Sequence, residues 1–160
     1  KGISFLEGTE REVQTIDTLL RNKQIPVALM SGMAGTEESF KQLSGQSITL
    51  LHVATHGFYS PLTGHYTAQR SFEEQALSRS GLFLSGAAAS LNMKKIPEDI
   101  EDGILTAKEL SKLDLSNLNL AILSACQTGL GEIVGDGVFG LQTRIQKSRS
   151  PDTLNEFYGK

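Results

Sequence analysis

A chain of 160 residues, 39% hydrophobic and 21% charged, describes one globular domain with enough length to bury a core. Its net charge of −3 supplies no basic field for nucleic acid, and its apolar runs stop far short of a membrane span. One cysteine cannot form an internal disulfide and no secretory pattern opens the chain, so a reducing, cytoplasmic location is expected, with neither nucleic acid nor membrane as partner. The first residue is Lys1, not Met, from which a longer parent protein is expected.

In chain order, Ile3-Ser4-Phe5-Leu6 is a short strand candidate. Thr9-Glu10-Arg11-Glu12 has the pattern of a capping box, and Val13, Ile16, Leu19 and Leu20 follow at helical spacing, so a helix is expected from there to about Asn22. Pro26-Val27-Ala28-Leu29-Met30 reads as a strand closed by Ser31-Gly32. Thr36 opens a second helix with Phe40 and Leu43 inward, and residues 48–55 form a third strand with His56 at its tip. The stretch from about residue 59 to 102 is irregular, with a short strand at Gly81-Leu82-Phe83-Leu84 and small residues at Gly86-Ala87-Ala88-Ala89. Its acidic run, Glu98-Asp99-Ile100-Glu101-Asp102, reads as a solvated loop rather than a ligand cluster. A second capping box, Thr106-Ala107-Lys108-Glu109, opens a helix with Leu110 and Leu113 inward. Residues 118–125 are the fourth long strand, followed by a glycine-rich loop and a helix with Val138, Leu141 and Ile145 on one face. This alternation argues an α/β fold with a parallel sheet and helices on both sides.

Two apolar runs end alike, one at His56-Gly57 and the other at Cys126. In open α/β sheets, ligand sites gather beyond the carboxyl ends of the strands, so these two residues are expected along one edge. A cysteine closing a strand before loop formers is a candidate nucleophile, and a histidine at a neighbouring strand end is a candidate base. The Cys126 thiolate would attack a scissile carbonyl, and His56 would hold the proton and deliver it to the leaving amine. Backbone N–H groups of Gly57 and Cys126 could cradle the oxyanion, and the imidazolium would lower the thiol pKa. His52 lies inside its strand and reads as packing, while His65 lies in a polar loop and reads as solvated.

The strings His52-Val53-Ala54-Thr55-His56-Gly57-Phe58 and Leu123-Ser124-Ala125-Cys126-Gln127-Thr128-Gly129-Leu130-Gly131 resemble the two signature motifs of the CHAT domain. CHAT domains are caspase-like cysteine peptidases of the group that also holds separase, legumain and gingipain. Gly8-Thr9-Glu10-Arg11-Glu12, residues 34–41, Ser80-Gly81-Leu82 and residues 102–107 resemble further parts of that family in the same order, so the likeness spans about residues 1–142. It implies a three-layer α/β/α caspase-like fold with a mainly parallel central sheet. It also implies a His56/Cys126 dyad, Gly57 in the oxyanion hole, a protein substrate, no cofactor or metal, and tetratricopeptide repeats upstream. Ser124 stands where caspases carry a glutamine, and seventy residues separate His56 from Cys126 against about 50 in caspases, so the kinship is with the wider group.

Past Gln142 the chain departs from the family, which continues with a further apolar strand and helix. Residues 143–160 form a polar tail, in which Thr153-Leu154-Asn155-Glu156-Phe157-Tyr158 looks like a piece of that later helix. The peptidase domain is therefore expected over residues 1–142, incomplete, without the family's last strand and helix. An unpaired sheet edge and a reduced pocket wall would follow.

Three other readings compete. Gly129-Leu130-Gly131-Glu132-Ile133-Val134-Gly135 follows a strand and precedes a helix, as a nucleotide-binding loop would, but its spacing is one too long and no lysine follows. His52 and His56 stand four apart like the ligands of a zinc-protease helix, yet Val53 replaces the required glutamate and the segment is strand-like. A non-catalytic interaction module that kept the dyad and lost its pocket is the third. Asp102 is an available orienter for His56, but nothing in the spacing assigns it that part.

Overall fold

The computed structural model describes residue 3 and residues 6–59, 77–92 and 101–127. Helix α1 (Glu7–Asn22) leads through a 3-10 turn (Gly32–Ala34) to the short helix α2 (Glu37–Lys41) and strand β1 (Leu50–Tyr59). Strand β2 (Ser80–Phe83), the single turn α3 (Ala87–Ser90), β3 (Ile104–Thr106), the single turn α4 (Ala107–Leu110) and β4 (Leu120–Gln127) follow among the described residues. The four strands form one mixed sheet in the order β3-β2-β1-β4. Its longest ladder, eight residue pairs between β1 and β4, is parallel. The β1–β2 and β2–β3 ladders are antiparallel and shorter.

Side chains alternate across the sheet. Leu51, Val53, Ala121 and Leu123 pack against a core of Phe40, Leu82, Leu105, Ala107, Leu110, Leu115 and Leu118. Five of those leucines are at most 2% exposed, and each stabilises the fold by roughly 1.5–3 kcal/mol. On the other face, His52 reaches α1. The half-buried side of α1 carries Thr9, Glu12, Val13, Ile16 and Leu20, one helical stripe. Helices therefore cover both faces of an α/β sheet, the three-layer arrangement expected.

Several local expectations shift. Helix α1 starts at Glu7, so Thr9 lies inside its first turn and cannot cap it. The Thr9 hydroxyl donates instead to the Leu6 carbonyl at 2.6 Å. Residues 26–30 join no ladder among the described residues. Pro26 has no N–H to donate, and the Val27 carbonyl accepts from the Arg21 guanidinium at 3.3 Å. Strand β1 runs to Tyr59, four residues past the expected end, because β2 pairs with residues 56–59. The strand expected at residues 3–6 and the helix expected around residues 138–145 lie outside the described residues, apart from Ile3 and Leu6.

Other signals stand as read. Thr36 caps α2 by accepting from the Ser39 amide at 3.1 Å. Thr106 and Glu109 form a complete capping box on α4, each side chain accepting from the other's backbone N–H. Gly81 is forced by proximity: a Cβ there would lie 2.4 Å from the Leu105 carbonyl oxygen and 2.8 Å from the Phe58 ring.

Candidate functional site

Strand β1 is the centre of the site. It is paired along residues 50–57 with β4 and along residues 56–59 with β2, so His56 and Gly57 are flanked by a strand on both sides. The register sets His56 directly opposite Cys126 and Gly57 opposite Gln127. In-register neighbours on adjacent strands have backbones about 4.8 Å apart, a separation a side-chain hydrogen bond can bridge. The two sequence-selected residues thus meet as backbone neighbours in a parallel ladder. They do so within the strands, not beyond their tips, since both strands run longer than the apolar pattern.

His56 is 5% exposed, more enclosed than an open groove between strand ends implies. Phe83 is its register partner on β2, and Phe83 stacks on Phe58 with ring centroids 4.8 Å apart. That pair walls one flank of the histidine. The Thr55 hydroxyl donates to the Phe83 carbonyl, tying β1 to β2 at the same level. Just beyond, the Arg79 guanidinium lies 5.6 Å from the centre of the Tyr59 ring.

One participant was missed in the sequence. Glu12 on α1 projects onto the sheet face that carries His52 and His56. Its Oε1 lies 3.0 Å from His52 Nε2, and its Oε2 accepts from the Ser124 hydroxyl at 3.1 Å. A carboxylate only accepts, so Nε2 of His52 carries the shared proton. The available signal was position: Glu12 falls in the helical stripe with Val13, Ile16 and Leu20, and a carboxylate on an inward face needs a partner. His52 is indeed enclosed, with 9% of its side chain exposed, but it packs as the hydrogen-bond partner of Glu12.

The competing sites fare differently. Four residues along a strand is about 13 Å, so His52 and His56 cannot share one ion. Asp102 accepts from the Ile104 amide at 2.8 Å and so shapes its own turn. Glu101 of the acidic run forms an ion pair with Lys41 at 2.8 Å. The glycine loop at residues 129–135, the polar tail and His65 lie outside the described residues.

A second charged cluster lies in the α2–α4 layer. Glu37, Glu101 and Glu109 bring carboxylate oxygens within 4.8 Å of one another, as metal ligands would. The Lys41 ammonium already fills that position, at 2.8 Å from Glu37, 2.8 Å from Glu101 and 3.3 Å from Glu109. Burial lowers the affinity of Lys41 for its proton, but bonds to Glu101, Glu37 and Glu109 outweigh it and hold the ammonium well above its ordinary range. Burial pushes Glu37 up against the pull of Lys41. Glu109 sits below the usual range, because bonds from Thr106 and Lys41 overcome its burial. The cluster is a structural lock between α2, the residue-101 turn and α4.

Among the described residues, no helix is long and apolar enough to cross a membrane. The family model of the CHAT domain matches residues 2–151. Comparison with curated proteins and with solved structures gave no match.

Proposed function

The chain belongs to the CHAT domain family, and from that premise we propose that it is a cysteine endopeptidase acting through a His56/Cys126 dyad. CHAT is a caspase-like peptidase family. The observation carrying the finer reading is the register pairing of His56 with Cys126 on adjacent parallel strands. In the proposed cycle the Cys126 thiolate attacks the peptide carbonyl carbon, forming a C–S bond and a tetrahedral oxyanion. We assign the backbone N–H groups of Gly57 and Cys126 to that oxyanion. The imidazolium of His56 gives its proton to the departing amine as the C–N bond breaks. His56 then takes a proton from water, whose oxygen attacks the thioester carbonyl and releases the acid and the thiolate. We further propose a protein substrate, a cytoplasmic location suited to a free thiol, and tetratricopeptide repeats in the parent protein.

Cleavage of peptide libraries tests this reading. Cys126→Ala should fall to background, and His56→Ala should lose roughly 10²–10⁴-fold in kcat/KM. Cleavage that survives Cys126→Ala overturns the mechanism. The enclosure of His56, at 5% exposure, favours a second reading, an interaction module that keeps the fold without turnover. Thiol labelling of Cys126 separates the two. Fast labelling that disappears in His56→Ala belongs to a peptidase, and slow labelling indifferent to that change belongs to a module.

A further inference from the structure

We propose that Glu12 is a positioning residue that holds the two strands of the dyad in register; this rests on the peptidase reading of His56 and Cys126. Each oxygen of its carboxylate serves a different strand. Oε1 meets His52 on β1, four residues before His56, and Oε2 meets Ser124 on β4, two residues before Cys126. His52 and Ser124 are not register partners, since Ile122 faces His52 and Ala54 faces Ser124. The carboxylate therefore spans the ladder diagonally, and a diagonal tie resists sliding of one strand along the other. A slide of one residue would carry Cys126 about 3.3 Å from its place beside His56.

Docking of α1 does not call for this group. Val13, Ile16 and Leu20 already give the helix an apolar stripe, and a carboxylate on that stripe costs desolvation unless it is paired. Glu12 is placed where the two dyad strands run side by side, and its bonds are charge-assisted, the stronger and more directional kind. The remainder of the helix can anchor the layer, while Glu12 fixes the alignment beneath the site.

The test is alkylation of Cys126 by iodoacetamide in the full chain; it is the only cysteine, so labelling is unambiguous. Rates are read at neutral pH for wild type, His56→Ala, Glu12→Ala, Glu12→Gln and Ser124→Ala, each checked for folding by its urea midpoint. Wild type should label faster than His56→Ala, and Glu12→Ala should lose about 10–100-fold of that advantage. Glu12→Gln should recover most of it, because an amide can accept from His52 and donate to Ser124, whereas a purely hydrophobic anchoring role would leave all three rates alike. Should Glu12→Ala not fold, Ser124→Ala, which cuts only the tie to β4, should still slow labelling several-fold. Folded Glu12→Ala or Ser124→Ala labelling at the wild-type rate overturns the positioning role and leaves the dyad standing. A wild-type rate independent of His56 overturns the dyad, and the positioning role with it.

Discussion

At Gly81 the space for a side chain is taken on two sides, by the Leu105 carbonyl of β3 and by the ring of Phe58 on β1. The first of these is backbone and cannot swing away. Gly81→Ala should therefore lower stability by about 1–3 kcal/mol, the range for forcing atoms into a filled core, seen as a lower urea midpoint. The Phe58–Phe83 stack beside His56 should loosen with it, which NMR of the aromatic protons would register. At this scale the sequence was informative about chemistry and poor about partners. His56 and Cys126 stood out because each closes an apolar run. Glu12 fits a cap because Thr-x-x-Glu is a local pattern, while the donors that claim its carboxylate lie 40 and 112 residues away.

The two capping motifs show how far local signals reach at the level of elements. Thr106 and Glu109 satisfy each other's backbone groups as the pattern requires, and in a single turn such as α4 those groups are a large share of the helix's unpaired donors. Thr106→Ala should cost about 1 kcal/mol of unfolding free energy, whereas Thr9→Ala should change it by no more than about 0.5 kcal/mol. A pair of urea titrations checks the contrast. The same letters differ in effect because α1 begins before Thr9, at Glu7. Strand ends were likewise hidden: residues 56–59 lack the apolar run of residues 48–53, but β2 supplies them with hydrogen-bonding partners. Residues 26–30 have the apolar run and no ladder among the described residues, since a strand exists only where another backbone meets it.

At the largest scale, Lys41 is a charge that joins segments far apart in sequence, α2 to the residue-101 turn and to α4. Glu37 is fully enclosed, and its Oε2 also accepts from the Gly103 amide at 3.0 Å, so its charge depends on the ammonium. Removing the cation leaves a buried carboxylate facing two others. Lys41→Met should destabilise the protein at neutral pH by about 3 kcal/mol, the lower end for a broken buried pair because Lys41 is itself about a quarter exposed. The pH dependence follows from the directions of the shifts. Glu109, held low, contributes stability that is present above its ordinary pKa and lost as pH falls through its folded value. Glu37, pushed up by burial, works the other way, costing stability as pH rises through its raised value. Loss of Lys41 enlarges the Glu37 effect, so the deficit of Lys41→Met should narrow as pH falls from about 7 to about 5. Urea midpoints across that range, beside wild type, measure it.

The class of the fold, the Thr106 cap, the inward faces of α2 and α4 and the two residues proposed for chemistry were legible in the amino-acid order. Each is written in neighbours a few positions apart or in a residue type that chemistry singles out. It took the folded chain to reveal that His56 and Cys126 share a register, that β2 lengthens β1, that Glu12 bridges β1 and β4, and that Lys41 sits among three carboxylates. Those facts arise from pairings between distant segments, and short-range spacing holds no record of which backbone or charge will arrive from elsewhere in the chain.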